Sequence, residues 1–160
     1  MIQFKRLQEK DICEVRRLAL KSWRFAYKNI YNEKTIRKNI ADYYADKRFH
    51  KDIKDIKAGN CEFILAVEVG RIIGYAQVCK LRSGWEVLRI YVDPKQLRKG
   101  IGSRLLTRIE TFIKKKHVKQ YTIYPHVKNK IATNFYKKSG FKRAPRRDRG
   151  WNSPCFMKQI

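Results

Sequence analysis

Long apolar stretches are missing from this sequence. The longest, Phe63–Val67, has five residues, against the roughly 20 that a helix needs to cross a bilayer. A signal peptide is missing too, since Met1–Arg6 lacks the charged-then-apolar order of one. These absences predict a cytoplasmic protein with no membrane partner. Metal-ligand spacings are absent as well. Cys13, Cys61, Cys79 and Cys155 form no CxxC, and His50, His117 and His126 do not pair with them at zinc-ligand spacing. The expectation is buried free thiols, with neither a metal nor a disulfide.

Acids are scarce. Lys plus Arg number 39 against 14 Asp plus Glu, a net charge of +25. Such a field attracts nucleic acid, anionic lipid or a phosphate-rich cofactor. The basic residues are spread along the chain rather than gathered in a tail, which fits solvated faces as well as a polyanion partner. Linkers, repeats and low-complexity runs do not occur. A chain of 160 residues that is 43 % hydrophobic can bury one core, so residues 1–160 are read as a single domain.

What is present is strongly patterned. Ile2–Leu7 suits a strand. Ile12, Val15, Ala19, Trp23 and Ala26 recur at helical spacing from Glu9 to about Ile30, and residues 33–57 suit one or two short helices. Glu62–Val69 and Ile72–Leu81 are predicted strands joined by a Gly70-Arg71 hairpin, and Trp85–Val92 is a third, ended by Asp93-Pro94. Ile101, Leu105, Leu106, Ile109, Phe112 and Ile113 form the stripe of a helix from Gly100 to about Lys116. Gln120–Pro125 is a strand. Ile131, Ala132, Phe135 and Tyr136 line one face of a helix that Ser139-Gly140 ends, and strands at Phe141–Arg146 and Pro154–Gln159 close the chain. The order is that of an α+β (mixed α/β) domain around one sheet.

Two stretches carry chemistry. In Val87–Leu106 a strand leads through Leu97-Arg98-Lys99-Gly100-Ile101-Gly102-Ser103 into a helix. The first amides of a helix have no intrahelical acceptor and sit at the positive end of its dipole, and glycines admit a phosphate to the backbone. No Lys-Ser/Thr follows Gly102, so this is not a Walker loop. The second stretch is Asn129–Phe141, with Asn129, Ala132, Phe135, Tyr136, Gly140 and Phe141 at fixed spacing.

Together the two stretches closely resemble the GNAT superfamily of N-acetyltransferases, over roughly residues 62–145. The resemblance implies a central mixed sheet, mostly antiparallel, with helices on both faces. It implies acetyl-CoA as cosubstrate, no metal, and direct transfer of an acetyl group to an amine. The cofactor-binding residues it implies are Ile90, Tyr91, Val92, Leu97, Arg98, Lys99, Gly100, Ile101, Gly102, Ser103, Asn129, Tyr136 and Lys138. Leu97 stands where the family usually has Gln or Arg, so weaker or re-routed pyrophosphate contacts are expected there. Arg104 is a further candidate phosphate contact.

Tyr136 matches the family's general acid. A phenol of pKa about 10 is suited to a leaving thiolate whose parent acid lies near about 8.5. Glu86 matches the glutamate that serves as base in GNAT histone acetyltransferases; on a regular strand it shares a face with Leu88 and Ile90, apolar surroundings that favour a base. Water is the alternative base. Asn129 suits both a cofactor contact and a helix N-cap.

On the acceptor side, Ser22–Tyr31 resembles the PaiA-type polyamine acetyltransferases, and Trp23, Tyr27, Tyr31 and Glu33 are the candidate substrate-binding residues. Spermidine or spermine is the acceptor of first choice. A protein lysine or N-terminus, and a nucleic-acid-associated role, remain open alternatives, as does monomer against homodimer. A polycation needs local carboxylates to reverse the field of so basic a protein. At least two of Glu33, Asp42, Asp46, Glu86 and Asp148 are therefore expected to point into one cleft near Ile90.

Overall fold

The computed structural model describes all 160 residues. In chain order the elements are β1 (Gln3–Arg6), α1 (Ile12–Tyr27), α2 (Glu33–Tyr43), α3 (Asp46–Lys57), β2 (Cys61–Glu68), β3 (Arg71–Leu81), β4 (Gly84–Val92), α4 (Ile101–Lys114), β5 (Gln120–Ile123), α5 (Lys130–Lys138), β6 (Lys142–Arg143) and β7 (Phe156–Gln159). The seven strands form one sheet in the order β1-β2-β3-β4-β5-β7-β6. Every neighbouring pair is antiparallel except β4–β5.

The sheet is covered on both faces. The α4 stripe of Ile101, Leu105, Leu106, Ile109 and Ile113 buries against Ile64, Ala66, Ala76, Val78 and Val87, and Tyr136 of α5 joins that core. Val15, Ala19, Trp23, Ile36, Ile40 and Phe49 of α1–α3 pack on the other face against Phe63, Leu65 and Tyr75. Side chains alternate between faces along a strand, so β2 and β3, roofed by helices on both sides, are nearly all buried and read as apolar runs.

The structure corrects several expectations. Cys61 and Cys79 are joined in a disulfide; they are directly opposed in the β2–β3 register, with Cα atoms 4.1 Å apart. Cys13 is free but exposed, which leaves Cys155 as the free buried thiol. The hairpin turn falls on Val69 and Gly70, both with positive φ (47° and 71°), one residue earlier than predicted. Ile131 is 59 % exposed and does not share the buried face of α5. The strand expected over Phe141–Arg146 is only two residues long, because Pro145 opens a short 3-10 turn.

One irregularity positions the site. Gln77 pairs with Arg89, but Val78 pairs with Val87, so Leu88 is an extra residue bulged out of β4. The bulge resets the alternation. Val87 and Ile90 both face α4, while Glu86 and Arg89 lie on the α1–α3 face, opposite Cys79 and Gln77.

Candidate active site

The parallel pairing of β4 with β5 covers only Trp85–Val87 and Tyr121–Ile123. Past these rungs Leu88–Val92 and Tyr124–Pro125 both line a cavity of 620 Å³, whose other walls are α1 (Ser22–Tyr27), the 96–103 turn and α5 (Asn129–Lys138). The cavity thus opens where β4 and β5 stop pairing with each other.

The turn between β4 and α4 forms the basic end. Arg98 and Gly100 both take left-handed φ values, 65° and 74°. This geometry, uncommon for a side-chain-bearing residue such as Arg98, immediately precedes the first turn of α4, whose amides have no intrahelical acceptor. A Cβ on Gly102 would stand 3.3 Å from the Phe135 ring, so the two halves of the sequence signature touch here. Leu97, Arg98, Gly100, Ile101, Gly102, Ser103, Asn129 and Lys138 line the cavity, as do Ile90, Tyr91, Val92 and Tyr136. Lys99 does not; its Nζ donates to Gln96 Oε1 at 2.8 Å. Arg104 also lies elsewhere, its guanidinium 4.9 Å from the Phe4 ring centroid. Asn129 caps α5, its Oδ1 accepting from the Ala132 amide at 3.1 Å.

Tyr136 is buried at the cavity wall. Burial, with a smaller contribution from nearby Tyr27, pushes its phenol well above the usual tyrosine value. It holds its proton throughout the working range of pH. Handing that proton fully to a thiolate is uphill, so the group suits hydrogen-bond stabilisation of a departing sulfur.

Aromatic rings cluster on the α1 side of the cavity. The Tyr27 ring packs at a tilt 4.7 Å from Trp23 and 5.6 Å from Tyr31, and its hydroxyl is 3.2 Å from that of Tyr91. Of the candidate acceptor residues only Tyr27 lines the cavity itself; Trp23 and Tyr31 stand behind or beside it. His126, which the sequence did not single out, lies 5.6 Å from the Tyr31 ring. Burial, and then the charge of Lys128, lowers its pKa, which keeps it neutral at neutral pH.

The expected carboxylate pair is not there. No Asp or Glu lines the cavity. Glu33 is bound by Arg24 and Arg37, Asp46 by Arg16, and Asp148 by Arg143. Asp42 borders a separate surface depression beside Tyr43, Lys47 and Arg48. Glu86 lies next in sequence to the lining residues Val87 and Leu88, but on the other face from Ile90, and Arg149 holds it at 2.9 and 2.6 Å. In a chain with 39 basic residues, each acid considered except Asp42 has found a cation of its own.

Arg149 comes from the 144–155 segment, which is stapled independently. Arg143 donates to both Asp148 oxygens at 2.7 and 2.8 Å, and the Cys155 amide donates to Asp148 Oδ1 at 2.7 Å. The arginine first, then the amide, lowers the Asp148 pKa from 3.8 to about 2. A carboxylate with a depressed folded-state pKa stabilises the fold above its unfolded value, and that contribution is lost as pH falls through the folded one. The staple is therefore expected to hold down to pH 4 and to release toward pH 2. The Cys155 amide resonance should titrate with a midpoint near the lower value; a midpoint at 3.8 would show that the pair contributes nothing.

Over residues 17–141 the chain matches the Acetyltransferase (GNAT) family. It is 29 % identical over 142 residues to the spermidine N(1)-acetyltransferase of Thermoplasma acidophilum, with 88 % of each chain covered. The crystal structure of PaiA N-acetyltransferase from Thermoplasma acidophilum, in complex with coenzyme A, superimposes with a TM-score of 0.93 at 27 % identity, covering 100 % of this chain and 99 % of that one. A GNAT-family acetyltransferase from Staphylococcus aureus Mu50 shares the fold, with a TM-score of 0.79 at 16 % identity and 99 % of both chains covered.

Proposed function

We propose, from the premise that the chain belongs to the GNAT acetyltransferase family, that it moves an acetyl group from acetyl-CoA directly to the primary amine of a polyamine such as spermidine or spermine. The observation that carries acetyl transfer is the cavity at the β4–β5 divergence, with the helix-start turn at one end and Tyr136 in its wall. The spermidine acetyltransferase from Thermoplasma acidophilum, alike over most of both chains, supports the polyamine.

The residues present fit acetyl-CoA. The Arg98–Ser103 turn offers main-chain amides, a helix dipole and cationic neighbours to a pyrophosphate. Acetyl-CoA supplies a thioester, whose carbonyl carbon the amine attacks. In this reading the cavity-lining main chain around the bulge, Leu88–Ile90, holds the carbonyl oxygen, and Tyr136 hydrogen-bonds the sulfur as it leaves. The amine must arrive without its proton. Both oxygens of Glu86 are engaged by Arg149, so in this arrangement water takes the proton.

The missing cavity carboxylate favours a second reading, an acceptor that is the N-terminus or lysine of a protein. Thiol release from acetyl-CoA, measured with spermidine, spermine, lysine peptides, N-terminal peptides and RNA, separates the two. Turnover with the polyamines is expected. Turnover with peptides alone would move the acceptor to proteins, and no thiol release with any amine would sink acetyl transfer itself.

A further inference from the structure

The surroundings of Glu86 have the composition of an ammonium site. Glu86 is a buried residue, 5 % exposed. Arg149 reaches it with two short, parallel bonds, 2.9 Å from Nη1 to Oε1 and 2.6 Å from Nη2 to Oε2. The same guanidinium carbon lies 3.9 Å from the centroid of the Tyr124 ring. A buried anion beside an aromatic face is the combination that binds an organic cation. Tyr124 lines the cavity, and so do Val87 and Leu88, next to Glu86 in sequence. The place held by Arg149 therefore adjoins the chamber in which the acceptor amine must sit.

We infer that Glu86 and Tyr124 form a cation subsite for the acceptor, and that Arg149 is a built-in competitor for it. The inference rests on the polyamine reading above, and the non-reacting ammonium of the diamine or polyamine takes the place of the guanidinium.

Two observations and one energetic argument support an exchange rather than a fixed ion pair. The Arg149 side chain is 47 % exposed while that of Glu86 is 6 % exposed, so the cation has a way out to water and the anion has none. The 144–155 segment does not depend on the pair, because Arg143, Asp148 and the Cys155 amide hold it, and the Arg149 amide itself bonds Ser153 O at 3.0 Å. Only the side chain has to swing. Stripping a buried carboxylate of its partner is costly, but replacing one cation by another leaves the charge compensated. A protein of net charge +25 can then accept a polycation without a cluster of cavity acids, since one of its own cations retires to solvent as the substrate's enters.

The exchange predicts selectivity. A monoamine has no second cation to place and is indifferent to Arg149. In Arg149→Gln, KM for spermidine should fall roughly ten-fold while KM for butylamine stays within two-fold, a loss of competition rather than of transition-state binding. Methylguanidinium added to that variant should compete with spermidine, and it should do so poorly in the parent protein. If Arg149→Gln fails to fold, Arg149→Lys, a compact one-point cation in place of a bidentate one, should lower the spermidine KM by a smaller factor. An unchanged or raised spermidine KM, or equal shifts for both amines, would overturn the subsite. Calorimetry of spermidine with the protein–CoA complex needs no turnover. If no amine is acetylated, the acetyl-transfer reading falls, while calorimetry still decides the subsite: tighter binding in Arg149→Gln upholds it, and equal or absent binding in both proteins overturns it.

Discussion

Gly102→Glu should weaken acetyl-CoA binding by roughly a hundred-fold or more, about 2.7 kcal/mol. Gly102 is the second residue of α4 and lines the cavity, at the end of the helix where amides lack intrahelical acceptors and the dipole is positive. A carboxylate there occupies the space of a pyrophosphate and repels it. The structure adds a steric consequence that the sequence did not disclose, because any side chain at this position meets Phe135 at 3.3 Å. Gly102→Ala separates the two effects, since it carries the contact without the charge. Calorimetry on both variants should give a modest loss for alanine and a large one for glutamate. Equal losses would assign the effect to displacement of Phe135, and a folded glutamate variant that binds normally would remove the site.

Tyr136→Phe should lower kcat by ten- to a thousand-fold, about 1.4 to 4 kcal/mol of barrier. The ring remains in the core with Phe135 and Phe141, so KM and stability should change little. Because burial holds the phenol far above its ordinary pKa, the pH profile of the parent enzyme should show no alkaline limb from Tyr136 up to pH about 10. An unchanged single-turnover rate in the phenylalanine variant would assign sulfur stabilisation to water or to another donor.

The fold was legible in the sequence because its signals are local. The four-residue spacing of Ile101, Leu105, Ile109 and Ile113, the apolar runs of β2 and β3, and the glycines of the 96–103 turn each depend only on near neighbours. The helix-start end of the cavity, where we propose the cofactor binds, was legible as geometry for the same reason, since it is main chain at the start of α4. The surroundings of Glu86 were not. The face on which Glu86 lies depends on one bulged residue, and nothing in the alternation of Trp85–Val92 betrays Leu88 as the extra one. Its partner Arg149 is one of four arginines between residues 143 and 149. Which of them reaches 63 positions back is decided by tertiary structure alone. The neutralised acids followed the same logic: composition showed that cations are abundant, but not that they would claim Glu33, Asp46 and Asp148.

The Cys61–Cys79 bond closes the β2–β3 hairpin into a covalent ring of residues 61–79, with Val69 and Gly70 at its far end. Val69 is 91 % exposed, the kind of tip that proteases and permutation junctions favour. A single cut there would divide the backbone between the part carrying α1–α3 and the part carrying the 96–103 turn and Tyr136. The molecule would remain one piece. Its connectivity would pass from the peptide chain to a sulfur bridge between neighbouring strands, and the two parts would separate covalently only on reduction.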